Sequence, residues 1–258
     1  MKDLIFFLGQ NAWLTAIISS LTGYLLGSFS NARLIYRIVK KTTEYEMFRE
    51  KVVGTDQIYE SDLKSASWVG KTVGKKYGCL TSILDMIKVG VPTLAVKLLF
   101  PDQPFYLILA FFGVLGHNFP VYYRFKGGGR GESPMIGALL VIDWPGFIIS
   151  NLASTVVGFI VGSVLVLQLS WKLLIIFWFW FVRHDYQAII FIIVTNILFF
   201  YSLRKEIKLI WDLKSKKGGL KMSEEDYTEG AMMGRKMGRI IENYSVVGII
   251  KRLRRKNT

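Results

Sequence analysis

Long apolar runs separated by short polar or basic stretches dominate the chain. The first run extends from about Ala12 to Ile38 and carries Gly23, Gly27 and several serines. A charged stretch follows from Lys40 to Lys76, too polar to enter lipid. Apolar runs resume over Tyr77 to Phe100 and Pro104 to Tyr123, separated by Pro101, Asp102 and Gln103. A short apolar piece, Met135 to Ile142, ends at Asp143-Trp144-Pro145, and a full-length run covers Gly146 to Leu169. Ser170 to Phe181 is dense in aromatics, Arg183-His184-Asp185 breaks it, and Gln187 to Leu203 is the last run. A hydrocarbon core about 30 Å thick needs about 20 apolar residues to cross. The pattern therefore predicts an all-α, polytopic membrane helix bundle with about seven crossings, the shorter ones tilted or half-inserted. Seven crossings put Lys40 to Lys76, Arg124 to Arg130, Lys172 and everything after Arg204 on one side. That parity satisfies the positive-inside rule and predicts the N-terminus outside and the C-terminus in the cytoplasm.

Composition agrees. Of 258 residues, 52% are hydrophobic and 14% aromatic, and the mean hydropathy is +0.36, which a chain that spans no lipid rarely reaches. The net charge of +14 would suggest nucleic acid in a soluble protein. Here the basic residues lie between and after apolar runs, which points to anionic lipid instead and to no nucleic-acid partner. A multi-pass protein of the cell membrane is expected. Cys79 stands alone, so no intrachain disulfide is available, and it is expected to be inert packing. The first run is followed by Arg33, Arg37, Lys40 and Lys41 rather than a small-residue cleavage site, so no cleavable signal peptide is expected. Residues 1–210 form the expected membrane domain. Residues 211–258 form a basic cytoplasmic tail, interfacial or disordered.

The chemistry concentrates in residues 116–131, GHNFPVYYRFKGGGRG. His117 and Asn118 end an apolar run, and a glycine turn follows with Arg124, Lys126 and Arg130 around it. Gly127, Gly128 and Gly129 permit close backbone approach to an anion, and the cations supply charge and donors. A loop whose basic residues only fix topology is the plainer alternative. Asp85 and Lys88, at i and i+3, share one helix face inside a span. They form either an ion pair or a site in which Lys88 reaches a phosphate. Ser28, Asn31 and Arg33 place a hydroxyl, an amide and a guanidinium within two turns. Such groups also bond neighbouring helices or snorkel to the interface. All three clusters fall on one face by the parity above, and Ser61 to Lys76 adds hydroxyls and lysines there. GKTVGKK at residues 70–76 lacks the spacing of a nucleotide-binding loop.

These motifs resemble the acyl-phosphate-dependent glycerol-3-phosphate acyltransferases. Tyr24 to Leu34 is similar to that family's first motif. Val73 to Gly78 with Leu84 to Gly90 resembles the end of the second motif and a following D-x-x-K-G, here with Val89 inserted. Gly116 to Val121 with Phe125 to Gly128 resembles the third, GHNFPVF…FKGGKG. The order and spacing fit over about residues 15–210. In place of the family's SGNPGATN, this chain has Ser61-Asp62-Leu63-Lys64-Ser65-Ala66-Ser67-Trp68, without the glycines and both asparagines. Where the family has GGKGVAT, it reads GGGRGESP, with one glycine inserted and Arg130 for the lysine.

The resemblance implies acyl transfer from acyl phosphate to the 1-hydroxyl of glycerol 3-phosphate, giving lysophosphatidate and phosphate, with no cofactor and no metal. Acyl phosphate is already activated, so positioning suffices, and it can contribute up to roughly 7–11 kcal/mol. On this reading Lys88, Lys126 and Arg130 bind phosphates together with Asn31, Arg33, Ser67, Lys71 and Ser133. Gly127, Gly128 and Gly129 supply backbone donors, and Ser28, His117 and Asn118 attend the reacting centre. His117 is the candidate base on this face, His184 falling on the other. A helix-end histidine satisfied internally and a substrate phosphate that takes the proton are the alternatives. The altered second motif also fits a non-catalytic homologue that binds anionic lipid or scaffolds a lipid-synthesis complex. Charges inside spans also fit a small anionic-solute transporter.

Overall fold

The computed structural model describes residues 2–51 and 58–205 and, beyond them, Lys208, Tyr244 to Val246 and Ile249. The expected boundary at 210/211 and almost all of the expected tail lie outside the described residues. The helices in chain order are α1 (Lys2–Gln10), α2 (Ala12–Ser28), α3 (Asn31–Lys40), α4 (Ala66–Thr72), α5 (Lys75–Leu99), α6 (Phe105–Asn118), α7 (Glu132–Val161), α8 (Val164–Leu169), α9 (Trp171–Trp178) and α10 (Tyr186–Ser202). A 3-10 turn, Val121–Tyr123, follows α6, and a π-helical turn, Phe179–Arg183, follows α9. The exception to an all-helical fold is a two-stranded sheet, β1 (Phe48–Lys51) and β2 (Ile58–Ser61), inside the polar stretch.

Among the described residues, five helical stretches are long and apolar enough to cross a membrane: Ala12–Lys40, Lys75–Leu99, Phe105–Tyr123, Glu132–Val161 and Val166–Arg183. Tyr186–Ser202 is apolar but shorter, at 17 residues. The segmentation differs from the hydropathy reading in one region. Met135 to Ile142 is a helical piece of its own, as expected: the range of α7 joins two helices at a kink, where Asp143 is non-helical (φ −157°, ψ 87°). The run read as Gly146 to Leu169 ends instead at Val161, because Gly162 adopts φ +75° and the Ser163 side chain caps α8 at Val166 N. Hydropathy does not register such a stop, although Gly-Ser was the local signal for it.

Burial departs from that of a water-soluble bundle: buried polar residues share the interior with apolar ones, and many large apolar side chains lie on the outer surface. Trp13, Leu98 and Ile197 are more than 60% exposed, whereas Thr15, Ser28, Thr81, Asp85 and Thr93 are buried. Polar side chains inside and large apolar ones outside suit a lipid solvent. Cys79 is exposed rather than packed, so the expectation of an inert core thiol is corrected.

Two compact units can be distinguished. One comprises residues 1–49, 60–144 and 185–205, and the other 50–59, 145–184 and 206–258. In the second, Ser154 holds the turn around α8 together. Its Oγ donates to Leu167 O (2.6 Å) and accepts from Trp171 N (3.0 Å). The first unit contains every predicted site residue. Its helices α2 and α6 meet backbone to backbone. A Cβ at Gly23 would strike Leu109 O, one at Gly27 would strike Gly113 O, and one at Gly116 would strike Tyr24 O. Small residues permit this approach, and without a hydrophobic drive between helices in lipid it supplies much of the packing. Gly27→Ala is expected to cost at least about 1–3 kcal/mol by overpacking and to lower the melting temperature in detergent. Gly70→Ala serves as the control, because its nearest neighbour would lie at an ordinary 3.8 Å.

Candidate active site

The site begins at a break in the first span. α2 ends at Ser28 and α3 restarts at Asn31, leaving Phe29 extended (φ −68°, ψ 124°) and Ser30 as a cap whose side chain accepts from Arg33 N. The break takes the Phe29 carbonyl out of the helical ladder. Lys88, from α5, uses it: its ammonium donates to Phe29 O (2.8 Å), to Asp85 Oδ1 (2.9 Å) and to His117 Nδ1 (3.0 Å). Three protons meet three acceptors. The Asp85 carboxylate is buried, and Asn31 Nδ2 donates to the same Oδ1 at 2.9 Å. An ammonium that donates to Nδ1 leaves the proton of a neutral imidazole on Nε2, an assignment made from the hydrogen-bond network.

The glycine loop closes over that imidazole. α6 ends at Asn118, ahead of Pro120, which has no N–H to continue it. The chain returns so that Gly129 N donates to His117 O (3.0 Å). A Cβ on Gly129 would strike His117 Nε2 and lie 2.8 Å from both Cδ2 and Cε1. A Cβ on Gly128 would strike Asn118 O. Gly127 adopts φ +62°, a left-handed conformation that favours glycine, and a Cβ there would lie 2.5 Å from Arg33 Nη2. Arg33 itself is buried, donates from Nη2 to Lys126 O (2.9 Å) and lies over the Tyr123 ring at 3.8 Å. Its Nη1 is buried without a hydrogen-bond partner.

A narrow cleft opens here, lined by Gly27 to Ser30, Lys64, His117, Pro120, Gly128 and Gly129. Lys64 reaches it from the polar stretch. Its backbone N–H donates to Gly127 O (3.3 Å), and its ammonium donates to Glu46 O (2.7 Å) and lies 4.6 Å from the Trp68 ring centre. Burial and then repulsion from Arg33 push its pKa below the ordinary lysine value, against smaller pulls from Asp62 and Glu46. Behind it, Trp68 stacks on Tyr36 at 4.6 Å, with Tyr45 edge-on to Trp68. Tyr45, Trp68 and Val69 of the polar stretch thus pack against α3.

Of the predicted residues, the fold brings Asn31, Arg33, Lys88, His117 and the glycine loop together, and Ser28 lines the cleft. The Ser28 hydroxyl donates to Tyr24 O (2.7 Å) and accepts from Val121 N (3.3 Å), which ties α2 to the turn after α6. Others point elsewhere. Asn118 Nδ2 donates to Ser202 Oγ (2.9 Å) on α10, about 100° around the helix from His117. Ser133 pairs with Ser82 (2.8 Å), Ser67 with Ser65 (2.9 Å), and Lys71 lies 4.1 Å from the Phe48 ring centre. Lys126 engages Arg33 through its carbonyl while its side chain is exposed, and Arg130 is half-buried. In the sequence, Asp85 reads as half of an ion pair with Lys88, and Lys64 only as one of the lysines that Ser61 to Lys76 adds to this face. The i, i+3 spacing signalled Asp85. The contacts that single out Lys64 carried no local signal, because Glu46 and Gly127 come from remote parts of the chain.

The sequence model of the glycerol-3-phosphate acyltransferase family matches residues 17–212. The chain belongs to this family. Among its relatives, the glycerol-3-phosphate acyltransferase of Pelagibacter ubique is 30% identical over 203 residues, 74% of this chain and 92% of the relative. Glycerol-3-phosphate acyltransferase 1 of Lactobacillus acidophilus is 25% identical over 216 residues, 78% of this chain and 97% of the relative. Two crystal structures of PlsY (YgiH), an integral membrane glycerol 3-phosphate acyltransferase, share the fold. The lysophosphatidic acid form has a TM-score of 0.59 and the glycerol 3-phosphate form 0.56, each at 23% identity, covering 76% of this chain and 92% of theirs. This member of the acyltransferase family is a multi-pass integral membrane protein.

Proposed function

We propose that the chain transfers an acyl group from acyl phosphate to the 1-hydroxyl of glycerol 3-phosphate, as a step of phospholipid synthesis. The observation that carries this reading is the coordination of Lys88. With its three protons on Asp85, Phe29 and His117, it holds a neutral imidazole at the lining of the cleft, with Nε2 against the Gly129 backbone. That group is a donor. It stabilises charge that develops on the carbonyl oxygen or on the departing phosphate.

The substrate hydroxyl oxygen attacks the acyl carbon, forming the ester bond. The bond between that carbon and the phosphate oxygen breaks, and phosphate leaves with the electron pair and accepts the hydroxyl proton. No covalent enzyme intermediate is required, since the donor is already activated. His117 acts on this reading as donor rather than base, which favours the alternative in which the substrate phosphate takes the proton. Arg33 and the glycine loop hold phosphate oxygens. The distribution of basic residues between the apolar runs supports an N-terminus outside and a cleft that faces the cytoplasm.

Purified protein given palmitoyl phosphate and glycerol 3-phosphate is expected to release orthophosphate one-for-one with lysophosphatidate. Acyl-CoA is not expected to replace the donor. Turnover with acyl-CoA alone would overturn the donor assignment, and no turnover with either would overturn the enzyme reading.

A further inference from the structure

We propose that Lys64 supplies a phosphate-binding cation in the cleft, at the segment where this chain lacks the glycines and asparagines of its family's second motif. The inference rests on the acyltransferase reading for its substrate and on the geometry for its site. Lys64 is the lysine among the residues that line the cleft, together with His117, Gly128 and Gly129. Its position is fixed at two points, by its backbone bond to Gly127 O and by the ammonium bond to Glu46 O, and its side chain is buried.

Lys64 and Arg33 converge on the same glycine. A Cβ on Gly127 would lie 3.4 Å from Lys64 Cγ and 2.5 Å from Arg33 Nη2. Two buried cations side by side repel, and neither has a carboxylate within ion-pair distance among the described residues. The nearby buried carboxylate, Asp85, is held by Lys88 and Asn31. Burying a charge without a counter-charge is costly. One of the three ammonium protons is used by Glu46, and one guanidinium nitrogen, Nη1, has no partner. A phosphate dianion matches this set: it accepts from both cations and from the loop at once. The second motif's role passes from backbone and amide donors to one ammonium. The aromatic cap of Tyr36, Tyr45 and Trp68 holds the segment that carries it.

The phosphate belongs either to the glycerol phosphate acceptor or to the acyl phosphate donor, and kinetics separate them. In the purified full chain, Lys64→Met is expected to raise KM for one of the two substrates, and the inhibition constant of orthophosphate, by at least about tenfold. The kcat and melting temperature are expected to stay near the parent values, and Lys64→Arg is expected to recover most of the affinity. The substrate whose KM moves identifies the phosphate. Unchanged KM and phosphate inhibition would overturn the proposal. So would a fall in melting temperature with kcat reduced and KM unchanged, which marks a purely structural staple. If the parent protein turns over neither donor, the activity reading fails separately. Orthophosphate titration of parent and Lys64→Met by calorimetry then decides Lys64, equal affinity counting against it.

Discussion

Gly129→Ala is expected to reduce kcat by at least about a hundredfold while the protein remains folded in detergent. The added methyl would strike His117 Nε2 and crowd Cδ2 and Cε1. Neither partner can yield cheaply. Gly129 is tied to His117 O through its own N–H, and the imidazole is held from behind by Lys88. Displacing a reacting group by about 1 Å can cost on the order of a hundredfold in rate. The collision is with one side chain at the end of a helix, so global packing is little affected. The measurement is steady-state phosphate release alongside thermal unfolding. A variant with parental kcat would show that the loop does not sit over His117. A variant that loses its melting transition would show that the contact is mainly structural.

Lys88→Met is expected to lose both activity and stability. The thioether keeps most of the side-chain volume but removes the ammonium that meets Asp85, Phe29 O and His117. Asp85 is 2% exposed and would retain Asn31 but no full counter-charge within 3 Å. Removing one member of a buried ion pair typically costs about 3–5 kcal/mol, because the other charge is left behind. Asp85→Asn combined with Lys88→Met removes both charges and is expected to recover much of the stability without recovering turnover. That difference separates the two roles of Lys88. Unfolding of the single and double variants gives the coupling, which independent sites would not show. Full activity in Lys88→Met would overturn the assignment of the His117 tautomer, since nothing else described donates to Nδ1.

Much of this was legible before any coordinates. Long apolar runs dictated membrane helices, since only a helix satisfies its own backbone in lipid. Asp85 and Lys88 at i, i+3 announced a shared face, and GHNFP followed by glycines announced a close turn at a helix end. What failed was of another kind. Gly146 to Leu169 read as one full run, yet Gly162 and the Ser163 cap end its helix at Val161. Asn118 read as attending the reacting centre with His117, but neighbours on a helix diverge by about 100°, and its amide donates to Ser202 on α10. Ser133 and Ser67 carry the right groups and spend them on neighbouring serines.

The sequence by itself determined a polytopic helical membrane protein, its family, and the residues from which the site is drawn, because hydropathy period and short motifs are local properties. Only the tertiary structure decided which of those groups are free to act. The broken helix at Phe29 had to present its carbonyl to Lys88 from 59 positions away. Gly129 had to return onto His117, and Lys64 had to be carried by a hairpin-bearing segment onto Gly127. These are long-range packing outcomes. A buried hydrogen bond has few acceptors within reach, and which ones they are depends on how the helices close together.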